Sequence, residues 1–147
     1  MLKYQYLLWL RSLNINNSMR ILIVDDDGIN RMLLNGFLNE YGRCYFAKDG
    51  EEAIDTVRSM FNAGLSFDLI FLDIMMPKMD GLNALKLIRQ MEKEFKYTQL
   101  SNIIMCTALD NMKYITDAYG KTCDGYLPKP IGKQEVMTIL KSLKLIN

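Results

Sequence analysis

Histidine is absent from the 147 residues, and cysteine, proline and tryptophan are scarce, at three, three and one. Without histidine the chain cannot ligate zinc through imidazole, use Ser-His or Cys-His catalysis, or carry a phosphohistidine of its own. Any phosphoryl group on histidine must therefore belong to a partner. The three cysteines form no CxxC pair, which indicates reduced thiols and predicts a cytoplasmic protein.

The chain also lacks an excess of either charge, because it has 18 Lys and Arg residues and 17 Asp and Glu residues, for a formal net charge of +1. This balance argues against a nucleic-acid partner. No run approaches the roughly 20 apolar residues that cross a bilayer, so we expect no membrane partner. The apolar run Tyr4–Leu10 lacks the cleavage site of a signal peptide. We expect residues 1–18 to be an extension and residues 19–147 to form one domain.

From Met19 onward, short apolar runs alternate with segments of helical periodicity. Helical spacing is clearest in the stripe Ile29, Leu33, Phe37 and Tyr41, and the runs typical of buried strands are 20–24, 44–47, 67–73, 102–107 and 125–128. Five strand–helix units predict an α/β fold with a five-stranded parallel sheet covered on both faces. The expected arrangement is flavodoxin-like, a doubly wound (βα)5 sheet with strand order 2-1-3-4-5.

Polar residues follow four of these runs. Asp25–Asp27 follow the first, Asp73 ends the third, Thr107 ends the fourth and Lys129 follows the fifth. Carboxyl ends of parallel strands share one edge of the sheet, so these side chains should converge there. Carboxylates that close repel one another unless a cation neutralises them, and oxygen ligands without His or Cys favour Mg²⁺. Three other acids, each just before a helix, are expected to be helix caps: Asp49, Asp80 and Asp110.

The segments that carry these residues resemble the receiver domains of response regulators in two-component signalling. The matching stretches are ILIVDDD (21–27), DLIFLDIMMPKMDG (68–81), the CTA around Thr107, and DGYLPKPI (124–131). The resemblance covers about residues 19–146. It implies a regulatory domain, not an enzyme with an external substrate, that catalyses its own phosphorylation and slow dephosphorylation.

The resemblance also implies specific roles around a Mg²⁺ ion. Asp73 would be the phosphoacceptor, and Asp25 and Asp26 the acidic pair that helps to hold the metal. The main-chain carbonyl of Met75 would complete the metal site. Lys129 would bind the phosphoryl group, and its peptide bond to Pro130 should be cis.

Signal output is likewise expected from the resemblance. Thr107 and Tyr126 would form a switch pair that responds to phosphorylation. The donor would be a sensor histidine kinase or a histidine phosphotransfer protein, and a downstream protein would dock on the fourth helix, fifth strand and fifth helix.

Because the sequence stops near the end of the last predicted helix, we expect a stand-alone or relay receiver. A detached receiver of a hybrid histidine kinase is the alternative. Thr122 departs from the family, which usually has Gly there, and this leaves the exit of the fourth helix open.

Two other classes of function compete with this interpretation. A haloacid-dehalogenase-like phosphatase would use a DxD motif, which Asp25 and Asp27 satisfy. That family expects a second acidic pair after the lysine, but KPIGKQEV follows from Lys129, and Asp73 would have no role. The third class is a receiver-like binding module that is never phosphorylated, and the completeness of the predicted site argues against it.

Overall fold

The computed structural model describes residues 19–147, so the predicted extension, residues 1–18, lies outside the described residues. The strands are β1 (Met19–Val24), β2 (Gly42–Ala47), β3 (Leu69–Asp73), β4 (Asn102–Ala108) and β5 (Gly125–Lys129). The helices are α1 (Gly28–Leu38), α2 (Gly50–Asn62), α3 (Gly81–Glu94), α4 (Met112–Tyr119) and α5 (Lys133–Ser142). Between residues 19 and 147, every helix is too short or too polar to cross a membrane.

The five strands are parallel and lie in the order β2-β1-β3-β4-β5, which confirms the predicted fold and strand order. All five residues of the central strand β3 are buried. A parallel strand covered by helices on both faces has no solvent side, and this explains why its sequence is a continuous apolar run without polar alternation.

Two hydrophobic cores sandwich the sheet. One lies between the sheet and helices α2, α3 and α4, and the other between the sheet and helices α1 and α5. Successive residues of β1 contribute to opposite cores, since Leu22 belongs to the first and Ile23 to the second. The packing on both faces fixes the strand ends on which the polar residues lie.

Helix α1 forms as predicted, but it buries a different face from the predicted stripe. Ile29 is 76% exposed and Leu33 is 42% exposed, whereas Leu34 and Leu38 are fully buried. The sequence places apolar residues side by side, at 33–34 and 37–38, so spacing alone does not decide which residue of each pair faces the sheet. Only packing against the sheet selects between them.

Helix ends show which acids act as caps. Asp49 accepts a hydrogen bond from the backbone N–H of Glu52, and Asp80 accepts one from the backbone N–H of Asn83, so both are caps as predicted. The same prediction for Asp110 is wrong, because that residue lies inside a short 3-10 turn, Leu109–Asn111, that precedes α4.

The Lys129–Pro130 peptide is cis, as expected. The last helix ends at Ser142, earlier than the predicted Leu145.

Candidate functional site

Three carboxylates lie together where two neighbouring strands end. Asp25 and Asp26 directly follow β1, and Asp73 is the last residue of β3, which pairs with β1. One carboxylate oxygen from each residue lies within 4.8 Å of the other two. Asp25 and Asp73 are buried, whereas Asp26 is exposed to solvent. We call these three residues the acidic cluster.

Lys129 reaches the acidic cluster from the end of β5, across the width of two strands. Its Nζ atom lies 3.0 Å from Asp25 Oδ2 and 3.0 Å from Asp73 Oδ1. Burial alone would lower the pKa of Lys129, but hydrogen bonds and charge from Asp25 and Asp73 outweigh it, and the pKa is raised. The ammonium group therefore stays charged and joins the two buried carboxylates.

Asp73 is only partly compensated by this lysine. Burial raises the pKa of Asp73 to about 6, the bond to Lys129 opposes that rise, and the charges of Asp25 and Asp26 add to it. Its second oxygen, Oδ2, is buried without a hydrogen-bond partner among the described residues. Buried polar atoms are normally paired, so an orphaned carboxylate oxygen indicates a position meant for a ligand.

The turn after β1 holds Asp25 rigidly. Asp25 Oδ1 accepts a hydrogen bond of 2.9 Å from the backbone N–H of Asp27, and the Asp25 carbonyl accepts one of 2.6 Å from the Arg31 guanidinium. The Asp27 side chain caps α1 by accepting from the N–H of Ile29, so it takes no part in the acidic cluster. Sequence reasoning missed Arg31. A cation in the first turn of a helix is electrostatically unfavourable. The presence of Arg31 at such a position could therefore have indicated acidic residues nearby.

Two further buried hydroxyl groups, one on β4 and one on β5, lack hydrogen-bond partners among the described residues. Thr107 on β4 is 1% exposed, and its Oγ atom makes no hydrogen bond to any described residue. The Tyr126 hydroxyl on β5 is also buried and unpaired within the described part, and its ring packs against the core formed with α2, α3 and α4. Alternation along β5 thus directs Tyr126 and Lys129 to opposite faces of the sheet.

The loop after β3, residues 74–80, carries Met75, whose side chain is 71% exposed. The loop returns tightly to the strand, since the N–H of Gly81 donates to the Ile74 carbonyl at 2.9 Å. A Cβ atom at position 81 would collide with the Asp73 carbonyl oxygen, so only glycine permits this approach. The two residues after Asp73 are therefore held close to the acidic cluster.

The donor set of this edge fits a small, hard cation. Every candidate ligand is oxygen, one carboxylate is exposed, and Asp73 Oδ2 is unpaired among the described residues. Mg²⁺ takes few protein ligands, keeps several waters, and favours carboxylate and carbonyl oxygens. Asp26 and Asp73 can each offer a carboxylate oxygen of this kind.

A second group of charged residues, which the sequence did not reveal, lies at the amino ends of β4 and β5. Arg89 on α3 donates to the Glu92 carboxylate at 2.9 Å, to the Ser101 and Thr122 carbonyls, and to Asp124 Oδ2 at 2.9 Å. We call these five residues the arginine network. It holds the exit of α4, where Thr122 replaces the expected glycine, against α3.

Comparisons with known proteins agree with this geometry. The family model described as response regulator receiver domain matches residues 21–141. The chain is 35% identical over 125 residues to the osmosensing histidine protein kinase SLN1 of Saccharomyces cerevisiae, covering 84% of this chain but only 10% of that protein. It is 32% identical to the chemotaxis protein CheY of Bacillus subtilis, covering 80% of this chain and 91% of that protein.

A solved structure is similar in fold as well as in sequence. It is the receiver domain of the histidine kinase CKI1 from Arabidopsis thaliana complexed with Mg²⁺ and BeF3⁻. The TM-score is 0.72 at 26% identity, covering 86% of this chain and 89% of that chain.

Proposed function

Because the chain belongs to the response regulator receiver domain family, we propose that Asp73 accepts a phosphoryl group from a phosphohistidine donor and thereby switches a protein–protein signal. The observation that carries this proposal is the state of the Asp73 carboxylate. One oxygen is paired with Lys129, and the other is buried and unpaired among residues 19–147, beside two more carboxylates. A charged oxygen held without a partner is well placed to attack an electrophile.

The proposed cofactor is Mg²⁺. Asp26 and Asp73 would hold it through carboxylate oxygens, Asp25 mainly through water, and Met75 through its main-chain carbonyl. When bound, the ion supplies positive charge that reduces the repulsion between a phosphoryl group and the acidic cluster.

The proposed transfer uses the two oxygens of Asp73 differently. Oδ2 forms the new bond to phosphorus, while the bond between phosphorus and the donor's imidazole nitrogen breaks and that nitrogen keeps the electron pair. Lys129, already 3.0 Å from Oδ1, would pair with the phosphoryl oxygens of the product. Because the pKa of Asp73 is about 6, most of the carboxylate is ionised at neutral pH and able to attack.

Thr107 and Tyr126 are the proposed switch residues. The Thr107 hydroxyl, which makes no bond to another described residue, would donate to a phosphoryl oxygen on Asp73. When Thr107 moves toward the phosphoryl group, it would leave a space into which Tyr126 could move, because both side chains lie on the side of the sheet covered by α4. The proposed output surface is α4, β5 and α5. An open groove between β5 and α5 is lined by residues including Tyr126, Gln134, Thr138 and Ile139.

None of the 147 residues is histidine, so the donor's phosphohistidine lies outside this chain. We expect a sensor histidine kinase or a histidine phosphotransfer protein, docked over the exposed apolar side chains of Ile29 and Met32 at the start of α1. Ile29→Glu should slow transfer from such a donor and leave labelling by a small donor unchanged. Equal slowing with both donors would contradict this docking surface.

We further propose that residues 19–147 form the receiver domain, and that it is cytoplasmic and has no nucleic-acid or membrane partners. Residues 1–18 supply none of the acidic cluster, and a chain beginning at Met19 should fold and accept phosphate.

The histidine kinase SLN1 is a relative, which supports a detached receiver of a hybrid kinase as the alternative to a stand-alone switch. Capture of partners with and without BeF3⁻ would distinguish the two: a phosphotransfer protein indicates a relay, any other target a docking switch.

The decisive experiment is labelling with acetyl phosphate in the presence of Mg²⁺, followed by intact mass measurement. Wild type should gain one phosphoryl group, and Asp73→Asn should gain none. Asp27→Asn is the matched control, because Asp27 lies outside the acidic cluster and asparagine caps a helix as well as aspartate does. Equal labelling of Asp73→Asn and wild type would refute the assignment.

A further inference from the structure

The loop after β3, residues 74–80, has two kinds of anchor. Backbone hydrogen bonds hold its ends, from the Ile74 N–H to the Cys106 carbonyl and from the Gly81 N–H to the Ile74 carbonyl. The part of the loop beyond Met75 instead leans against the first turn of α2, an element that supplies none of the acidic cluster. This second anchor has no role in the proposed function above.

Gly50, the first residue of α2, makes the closest of these contacts. A Cβ atom at position 50 would lie 2.6 Å from the Met79 carbonyl oxygen and 2.8 Å from Met79 Cβ. Real Cβ atoms do not approach a backbone oxygen so closely, and a backbone oxygen cannot rotate away as a side chain can. An alanine at the start of a helix is otherwise favourable, so the requirement for glycine comes from the loop and not from α2 itself.

Lys78 forms the other contact between the loop and α2. Its backbone φ of 65° lies in the left-handed region, which costs energy for any residue with a side chain. Its Nζ atom lies 3.7 Å from Asp49 Oδ2 and 3.8 Å from Glu51 Oε2. The buried Asp49 carboxylate therefore caps α2 with one oxygen and attracts the loop with the other.

We infer that Gly50 and Lys78 are positioning residues that set the affinity for Mg²⁺ by fixing the loop that presents the Met75 carbonyl. The inference rests on the proposed function, because Met75 is a ligand only if the acidic cluster binds the metal. A loop held from both sides keeps a main-chain carbonyl in place before the metal arrives, so less order is lost on binding. If Met79 is displaced, the Met75 carbonyl in the same loop is no longer held in place.

Calorimetry of Mg²⁺ binding to Gly50→Ala tests this inference. Affinity should fall about tenfold, the scale typical of residues that support metal ligands. Gly36→Ala is the matched control, since a Cβ atom at position 36 of α1 meets nothing within 4 Å. Urea unfolding in EDTA reports any purely structural effect. A loss of stability with unchanged Mg²⁺ affinity, or equal weakening in both variants, would overturn the inference.

If Gly50→Ala does not fold, Lys78 provides the test. Lys78→Arg should keep wild-type affinity, and Lys78→Glu should weaken Mg²⁺ binding severalfold by repelling Asp49 and Glu51. An added carboxylate near a cation site would by charge alone strengthen binding, so weakening identifies a positional effect. Equal affinities of the two variants would overturn the inference. Failure of wild type to bind Mg²⁺ or to be labelled by acetyl phosphate would instead contradict the proposed function.

Discussion

Charged groups at the two ends of the parallel strands are paired to different degrees. In the arginine network, Glu92 accepts hydrogen bonds from Arg89 and from the backbone N–H of Ser101, and Asp124 accepts from Arg89 and the N–H of Ile103. In the acidic cluster, the two buried carboxylates, Asp25 and Asp73, share Lys129 as their cation, and Asp73 Oδ2 has no partner among the described residues.

This difference separates a structural use of charge from a functional one. Buried charges that are fully paired hold elements in register, and removal of one partner leaves the other uncompensated. Unpaired buried charges destabilise the fold and persist where a ligand completes them. The arginine network should therefore stabilise the metal-free protein, and the acidic cluster should weaken it. Four measurements test this contrast, from the largest expected effect to the smallest.

The largest effect is expected at Arg89. Arg89→Met leaves the Glu92 carboxylate, which is 1% exposed, without its cation. The free energy of unfolding should fall by about 3 kcal/mol or more, measured by urea titration. Arg58→Met is the control, because the pair between Arg58 and Asp55 is exposed and is worth about 0.5 kcal/mol or less. Similar losses in the two variants would show that the arginine network is not structural.

An effect of opposite sign is expected at Asp73. Asparagine cannot ionise, so Asp73→Asn removes the cost that raises the pKa of Asp73 from 3.8 to about 6. The free energy of unfolding in EDTA at pH 8 should rise by about 1 to 3 kcal/mol. Lys129 retains its bond to Asp25 in this variant. A less stable metal-free variant would mean that the ionised carboxylate is fully compensated in the fold.

The stability that Asp73→Asn gains over wild type should depend on pH. A carboxyl group with a raised pKa in the folded state contributes stability below its unfolded pKa and loses it as pH rises through the folded value. For metal-free wild type, that loss should occur between about pH 4 and pH 6. The stability difference between Asp73→Asn and wild type should thus be largest at pH 8 and vanish near pH 4. A difference independent of pH would assign the effect to packing.

The smallest effect compares two buried hydroxyl groups. Ser101 Oγ donates a 2.7 Å hydrogen bond to the Phe67 carbonyl, whereas Thr107 Oγ has no partner in residues 19–147. Ser101→Ala should lower the free energy of unfolding by about 1 kcal/mol, and Thr107→Val should leave it unchanged or raise it. Urea unfolding of both variants in EDTA provides the measurement. A loss at Thr107 as large as that at Ser101 would erase the contrast between the two ends of the strands.

The fold and the convergence of the acids followed from linear features of the sequence. Five apolar runs in alternation with helical segments predict right-handed crossovers and a doubly wound parallel sheet, and strand ends in a parallel sheet share an edge. Asp25, Asp73 and Lys129 could therefore be placed together although 104 residues separate Asp25 from Lys129. Such inferences hold because they depend on chain order and strand direction, not on the orientation of single side chains.

Side-chain partnership depended on tertiary packing. Two equally spaced apolar stripes on α1 could have faced the sheet, and its contact with the core selected Leu34 and Leu38. The prediction of a cap at Asp110 failed because a 3-10 turn occupies the start of α4. Arg89 finds Thr122 and Asp124 at sequence separations of 33 and 35, where no periodic pattern links them.

The sequence by itself determined the parallel sheet, its strand order and the group of polar residues at its carboxyl edge, because these depend on local patterns and chain direction. Only the tertiary structure decided which of these residues are satisfied. Asp27 turned away to cap α1, Lys129 took one oxygen of Asp73, and the other oxygen was left unpaired among the described residues. Hydrogen bonding requires agreement within a few tenths of an ångström, and that precision comes from packing across the whole domain.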